Sequence, residues 1–395
     1  MTHYPYLIVG GGMTADAAAR GIRELDARGP IGLIGAEADK PYSRPPLSKT
    51  LWKGEPVDSV WRKTDEVAGV DLHLGRRATA LDLRGKRVRD DRGGEYTFDK
   101  LLLATGGTPR RLPSVAAGGE SVIYFRTLDD YRRLRALAES GKSFVVVGGG
   151  FIGSEVTAAL ALQGCKVTML FPGGGIGDRL FPADLARFLV GHYGERGVDV
   201  RPGQKVTGIF PSGSQVAVET ASGLHLTADA VVAGVGIAPN TELAAAAGLP
   251  VEDGVLVDEH LRAGHPDVLA AGDVARFHAP ALGARIRVEH EDNAVTMGHA
   301  AGRAMAGDPA AYDHLPFFYS DLFELGYEAV GDLDPRAELV ADWKEPFREG
   351  VVYYLAAGRV RGVLLWNTWG QVDAARALVA QPGPFRGSDL VGRLP

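Results

Sequence analysis

The chain has 395 residues, of which 45% are hydrophobic and 23% charged, and its formal net charge is −6 at pH 7. That length exceeds one ordinary core and implies two or three domains. The composition excludes a disordered chain, and the net acidity excludes the concentrated basic face that nucleic-acid binding requires.

Tyr6-Leu7-Ile8-Val9 is a short apolar run of the kind a buried parallel strand uses. No basic or apolar leader stands before it, and no apolar run approaches the ~18 residues that span a bilayer. No membrane insertion is expected, and the cytoplasm is the expected location. Gly10-Gly11-Gly12 then turns the chain, Ala15 to Leu25 has the composition of a helix, and Ile31 to Ile34 supplies the next strand. Leu101 to Ala104 reads as another buried strand, ended by Thr105-Gly106-Gly107-Thr108-Pro109, which continues no regular element.

The same grammar restarts downstream. Phe144 to Val147 is a strand, Gly148-Gly149-Gly150 a turn, Ser154 to Leu162 a helix and Lys166 to Phe171 a strand. Val231 to Val235 is a further strand, leading into Gly236. Repetition over so long a spacing indicates two copies of one domain type and not a solenoid. After Pro316 the texture changes to short alternating runs, Val351 to Leu355 and Gly362 to Trp366, which suggest antiparallel strands followed by a helix from Asp373 to Gln381.

The expected fold is α/β. It has two Rossmann-like dinucleotide-binding domains and a small C-terminal α+β domain. The boundaries are 1–112 with 238–313, 113–237, and 314–395.

Gly10-x-Gly12-x-x-Ala15 and Gly148-x-Gly150-x-x-Gly153 each follow a strand and open a helix. In that context the first glycine permits the turn, the second lets backbone approach a pyrophosphate, and the third small residue lets helix pack on strand. The helix N-terminus offers N–H groups and partial positive charge to phosphate. Two copies in one context imply two bound dinucleotides. Glu37, past the second strand, is placed to accept from ribose hydroxyls. The second copy has Gly173 where that acid is expected, with Arg179 close downstream, so NADH and NADPH both stay open.

Pro41-Tyr42-Ser43-Arg44-Pro45-Pro46-Leu47-Ser48-Lys49 is more specific than either loop. With Ala104 to Arg110, Gly148 to Glu155, Ala271-Gly272-Asp273, Val288-Glu289-His290, Phe318 to Asp321 and Gly326-Tyr327-Glu328, it resembles the oxygenase-coupled ferredoxin and rubredoxin reductases and apoptosis-inducing factor. These share the glutathione reductase-like FAD/NAD(P)-binding fold of the pyridine nucleotide-disulfide oxidoreductase superfamily. Trp366-Asn367 resembles the apoptosis-inducing factor branch in particular.

The resemblance implies that Gly10, Gly11, Gly12, Met13, Thr14 and Glu37 hold the FAD pyrophosphate and ribose. It implies that Arg44, Pro45, Lys49 and Arg126 meet the flavin, with Ala78, Ala104, Thr105, Gly106 and Asp273 on the remainder of the FAD. Gly149, Gly150, Phe151, Ile152, Arg179, Gly236, Glu289, His290, Tyr319 and Glu328 frame NAD(H) or NADP(H). Lys49, paired with Glu155, and His290 are the implied catalytic residues. Tyr319 stands where relatives commonly carry tryptophan, and Gly370 where one branch carries asparagine.

The physical logic agrees with these roles. A lysine beside a flavin stabilises negative charge that develops on reduction, and a buried ammonium needs a carboxylate partner. Glu289-His290-Glu291-Asp292 has metal-ligand residue types, but His299 is nine positions on, the wrong spacing for a helical pair, and no metal is expected. A helix N-terminus rich in acids is the bland alternative for that stretch, and the reading that the resemblance implies, with His290 near the flavin, is preferred. Cys165 is the single cysteine, which excludes dithiol disulfide reduction and leaves it a structural role.

The expected activity is hydride transfer from NAD(P)H to FAD, then electrons to a small carrier of ferredoxin or rubredoxin type. The alternatives are a redox-responsive NADH-binding protein like apoptosis-inducing factor, with a long-lived reduced flavin, and an NAD(P)H oxidase using oxygen or quinone. A homodimer is a general expectation for soluble oligomers. Arg110-Arg111 and Arg132-Arg133 with Arg135 read as solvated faces, or else as a docking patch for an acidic carrier.

Overall fold

The computed structural model describes residues 1–112 and 122–394. Contacts divide the chain into two compact units. The first comprises Met1–Arg44, Val57–Thr108 and Ala238–Phe317; the second comprises Pro45–Pro56, Pro109–Ile237 and Phe318–Pro395. The expected boundary at 113 lies outside the described residues.

In the first unit a sheet runs in the order Arg262–His265, Val268–Ala270, Glu95–Leu103, Thr2–Val9, Ile31–Gly35, Val70–Leu74. Thr2–Val9 pairs in parallel with Ile31–Gly35 on one side and Glu95–Leu103 on the other. Leu7, Ile8, Ile31, Leu33, Leu101 and Leu102 are fully buried, as strands covered on both faces demand. The helix Met13–Leu25 returns over this sheet and packs on the helix Glu291–Met305. A Cβ at Gly302 would lie 2.0 Å from the Ala18 carbonyl oxygen, so only glycine permits that approach. The close crossing fixes the helix whose N-terminus opens from the first glycine turn.

In the second unit the parallel sheet is five-stranded, ordered Asp199–Pro202, Val167–Phe171, Phe144–Val147, Ala230–Ala233, Val122–Ile123. The C-terminal sheet is antiparallel, ordered Phe317–Leu322, Leu325–Gly331, Arg359–Trp366, Glu349–Ala356, Glu338–Glu345, and the helix Val372–Ala380 packs on it.

Compactness therefore departs from the expected three-way division in two places. The C-terminal segment shares one hydrophobic core with the second parallel sheet: Met169, Phe171, Phe181 and Tyr193 pack with Phe318, Tyr327, Tyr354 and Trp366. Phe181 meets Tyr327 and Trp366 edge-on at 5.1 and 5.5 Å, and those two rings stack at 5.8 Å. Pro45–Pro56, although flanked by first-unit sequence, packs in the second unit. There Trp52 meets Tyr131 edge-on, and its carbonyl accepts from Gln163.

Trp366 is completely buried, and its indole N–H donates to the Phe347 carbonyl at 2.9 Å. Truncation leaves a large void and an orphaned carbonyl at the centre of the shared core. Trp366→Ala is expected to destabilise the second unit by about 3–5 kcal/mol, read as a lowered urea midpoint. A loss below about 1 kcal/mol would mean that the two sheets do not depend on this core.

Candidate functional site

The first glycine turn is forced by backbone. Gly10 has φ +138°, and a Cβ there would sit 2.0 Å from the Ala104 carbonyl oxygen. Gly12 caps the helix Met13–Leu25 without a side-chain cap bond, and nothing lies within 4 Å of its missing Cβ. The helix N-terminus thus faces open space, which is the cradle a pyrophosphate fits. Thr14 packs closely on Gly272, where an added Cβ would meet its hydroxyl at 2.3 Å. That contact brings Asp273 beside the turn.

Glu37 is clamped by its own neighbourhood. Its carboxylate accepts from the Arg44 guanidinium and the Tyr42 hydroxyl, each at 2.5 Å. Burial works against the Arg44 charge, but Tyr42 and Glu37, with a further contribution from Asp273, hold its pKa above the ordinary value. Arg44, Glu37 and Asp273 therefore form one electrostatic group. Ala104 ends its strand with an N–H to Val9, and the Thr105–Gly106 turn is clamped by Asn240, which bonds Thr105 in both directions. Ala78 opens the strand Ala78–Asp82 in the same sheet.

His290 caps the helix Glu291–Met305, whose first turn carries Glu291 and Asp292. Glu289 accepts from Arg287 at 2.5 Å, and Arg287 also pairs with Asp253. Among the described residues no cluster of His, Cys, Asp and Glu is arranged to hold a metal ion.

The second glycine turn repeats the first. Gly148 has φ +128°, with a Cβ position 2.2 Å from the Gly234 carbonyl oxygen, and Gly150 faces open space. Gly149 lies on the Phe171 ring, and the helix Phe151–Leu162 follows, with Phe151 edge-on to Phe318 and Ile152 in its first turn. Gly236 has φ +87° and open space beside it. Arg126 precedes the helix Leu128–Glu139, its N–H donating to Asp130. Glu328 accepts from the Gly370 N–H at 3.1 Å, which joins two positions singled out in sequence. Arg179 lines a cleft of about 360 Å³ with Phe318, Asp332, Asp334 and Arg336.

In the helix Phe151–Leu162, one turn beyond Ile152, lies Glu155. Lys49 Nζ is 2.7 Å from Glu155 Oε2, and the side chains are 9% and 3% exposed. Ser48 donates to Oε2 at 2.5 Å and Ser320 to Oε1 at 2.6 Å. The carboxylate thus receives three donors from two distant segments. Lys49 Nζ also lies 5.2 Å from the Tyr319 ring centre. Burial, then the charge of Glu155, pushes the Tyr193 and Tyr327 phenols well above their ordinary value, and the Tyr193 hydroxyl donates to the Ser154 carbonyl.

Sequence reasoning paired Lys49 with Glu155 but did not identify Ser320, Arg287 or Asn240 as the groups that hold site residues in place. Ser320 is 165 positions from Glu155, and no local pattern signals such a partner. The basic clusters are partly neutralised: Arg132 bonds Asp129, Arg135 bonds Glu139, and Arg135 also covers Trp52. Trp366 and Asn367 serve packing. Asn367 accepts from the Gly326 N–H and donates to the Arg348 carbonyl.

Two glycine cradles on parallel sheets, each opening a helix whose N-terminus faces free space, define the class: a protein built to hold two dinucleotides. Residues 4–298 match the family model described as pyridine nucleotide-disulphide oxidoreductase. The chain is 32% identical to mitochondrial apoptosis-inducing factor 1 of Dictyostelium discoideum, over 95% of this chain and 78% of that protein. It is 34% identical to the ferredoxin–NAD(+) reductase component of the anthranilate 1,2-dioxygenase system of Burkholderia cepacia, over 96% and 95% respectively. A chain in the covalent putidaredoxin reductase–putidaredoxin complex matches with TM-score 0.91 and 32% identity, covering 99% of this chain and 96% of that one. The chain belongs to the pyridine nucleotide-disulphide oxidoreductase family.

The Lys49–Glu155 pair makes a measurable claim about energetics. Removing either partner leaves a buried charge uncompensated, so Lys49→Met and Glu155→Gln should each cost about 3–5 kcal/mol. The double variant should cost much less than their sum. A double-mutant cycle by urea denaturation checks it, and strict additivity would show that the two groups do not interact.

Proposed function

We propose that this chain is an FAD-dependent NAD(P)H reductase that delivers electrons to a small iron–sulfur carrier of ferredoxin or rubredoxin type. The observation that carries the reading is the pair of open glycine cradles in a chain that also buries a lysine against a carboxylate. When bound, the nicotinamide supplies hydride and the flavin accepts two electrons that it can release singly, so a two-electron donor can serve a one-electron carrier.

The chain's own residues do the positioning. Gly12 and Gly150 leave room for phosphate oxygens against helix N-termini. Segments 1–112 and 238–313 hold the flavin nucleotide, and 113–237 the nicotinamide nucleotide. Glu37, oriented by Tyr42 and Arg44, accepts from ribose hydroxyls. Arg44 and Asp273, as an electrostatically coupled pair, serve the FAD. Lys49 offers a fixed positive charge where electron density rises, and Glu155 keeps that ammonium from turning to solvent. Ser48 and Ser320 hold Glu155 in turn.

The single cysteine leaves no dithiol to reduce a disulfide. Cys165 bonds weakly to the Ala138 carbonyl, and burial pushes its thiol pKa up, which disfavours a reactive thiolate. The carrier assignment is supported by the relatives named for ferredoxin and putidaredoxin reduction.

Anaerobic mixing with NADH or NADPH should bleach the flavin, and adding an oxidised ferredoxin should restore its colour. Lys49→Met should slow the first step by about 10²-fold. A flavin indifferent to both coenzymes would overturn the reading. Slow reduction to a persistent long-wavelength species unresponsive to ferredoxin would favour the behaviour expected of an apoptosis-inducing factor relative, a reading that 32% identity over 95% of the chain keeps in view.

A further inference from the structure

The strand Val167–Phe171 ends in Pro172-Gly173-Gly174-Gly175, with no acid at its tip. Such a tip leaves the adenosine ribose without the carboxylate that NAD-selective sites place there. The structure supplies one from further along the chain. A Cβ built on Gly173 would lie 1.8 Å from Asp178 Oδ2, 2.6 Å from its Cγ and 2.9 Å from Oδ1. The Asp178 carboxylate is therefore about as far from that point as a tip aspartate's own carboxylate would be. In this conformation the carboxylate of Asp178 occupies the place that a side chain at 173 would take.

Two backbone bonds fix this placement. The Gly174 N–H donates to Asp178 Oδ2 at 3.0 Å, which closes the loop onto the strand end. The Gly177 N–H donates to the Gly149 carbonyl at 2.8 Å, which ties the residue before Asp178 to the second glycine turn. Gly177 itself has φ +72°, the left-handed conformation glycine adopts without strain. Arg179, the cation that left the coenzyme undecided in sequence, lines the cleft with Asp332, Asp334 and Arg336.

We propose that Asp178 is the coenzyme-selecting residue of the second cradle, standing in for the missing strand-tip acid and setting a preference for NADH over NADPH. This rests on the proposed nicotinamide-dinucleotide function of that cradle. The carboxylate accepts hydrogen bonds from the 2′- and 3′-hydroxyls of the adenosine ribose. Against a 2′-phosphate it presents like charge and no donor, a repulsive element of the kind specificity requires. Asp178 is thus a specificity residue of the binding step and takes no part in hydride transfer.

The test is equilibrium binding, separate from turnover. The purified flavin-loaded protein is titrated calorimetrically with ADP-ribose and with 2′-phospho-ADP-ribose, and kcat/KM is measured for NADH and NADPH. The native chain should bind ADP-ribose at least about tenfold more tightly than its 2′-phosphorylated form, with the same order in kcat/KM. Asp178→Asn keeps an acceptor for the Gly174 N–H but removes the charge. It should lose about tenfold in ADP-ribose affinity and narrow the gap between the ligands. Equal or tighter binding of the 2′-phosphorylated ligand by the native chain would overturn the proposal and leave the wider function standing; that measurement needs no variant to fold. Unchanged affinities in a folded Asp178→Asn would also overturn it. If neither ligand binds the native chain, the dinucleotide reading of the cradle falls with it.

Discussion

A carboxylate buried to 3% exposure is the constraint around which the second unit is arranged. Taking an ionised Glu155 out of water is costly unless charge and hydrogen bonds replace the lost solvent. Lys49 supplies the charge, and the hydroxyls of Ser48 and Ser320 supply donors to the two oxygens. The satisfied carboxylate therefore requires three chain segments to be in place at once. The Pro45–Ser48 turn, the helix Phe151–Leu162 and the first strand of the C-terminal sheet all contribute. This explains why Pro45–Pro56 packs in the second unit despite its position in sequence. A lysine needed at one point in space is held by a group that is itself over-determined.

The two cradles show one physical solution reached with different residues. In both, a left-handed or extended glycine clears a carbonyl that any side chain would strike, and a third residue sets how closely helix meets strand. The first cradle tolerates Ala15 there. The second requires Gly153, because a Cβ at that position would lie 2.0 Å from the Gly148 carbonyl oxygen. The cradles also differ at the strand tip. Glu37 sits with Arg44 and Tyr42 bound to it, whereas the second tip is bare and an acid folds back over it.

Much of this was legible in the sequence, for a physical reason. Buried parallel strands are continuous apolar runs, and glycine turns are constrained by sterics that act locally, so Tyr6 to Val9, Phe144 to Val147 and both turns could be read directly. The strand ends differ only by a few residues, as Thr2–Val9 and Ala230–Ala233 show. Lys49 was identified through a nine-residue motif, and its partner Glu155, in the second glycine loop, through the resemblance these segments carry, not through spacing. What could not be read depends on chain path. Ser320, Asn240 and Arg287 are ordinary polar residues until the fold carries them to Glu155, Thr105 and Glu289. The shared core of the parallel and antiparallel sheets was equally hidden. The apolar run marks residues 363–366 as buried but not what it meets.

The strand tip at Gly173 shows why a missing residue is weak evidence about a site. An NAD-selective cradle needs negative charge at a place, and the sequence position that usually supplies it is only the shortest route there. A loop that returns to the strand end can deliver the same group, provided the strand end gives up its own side chain. Gly173 meets that condition, since even one added carbon would fall 1.8 Å from the Asp178 oxygen. The glycine that looked like the loss of a selectivity acid is then the residue that makes room for one. The open strand end at 173 and the carboxylate of Asp178 above it share one place in the loop.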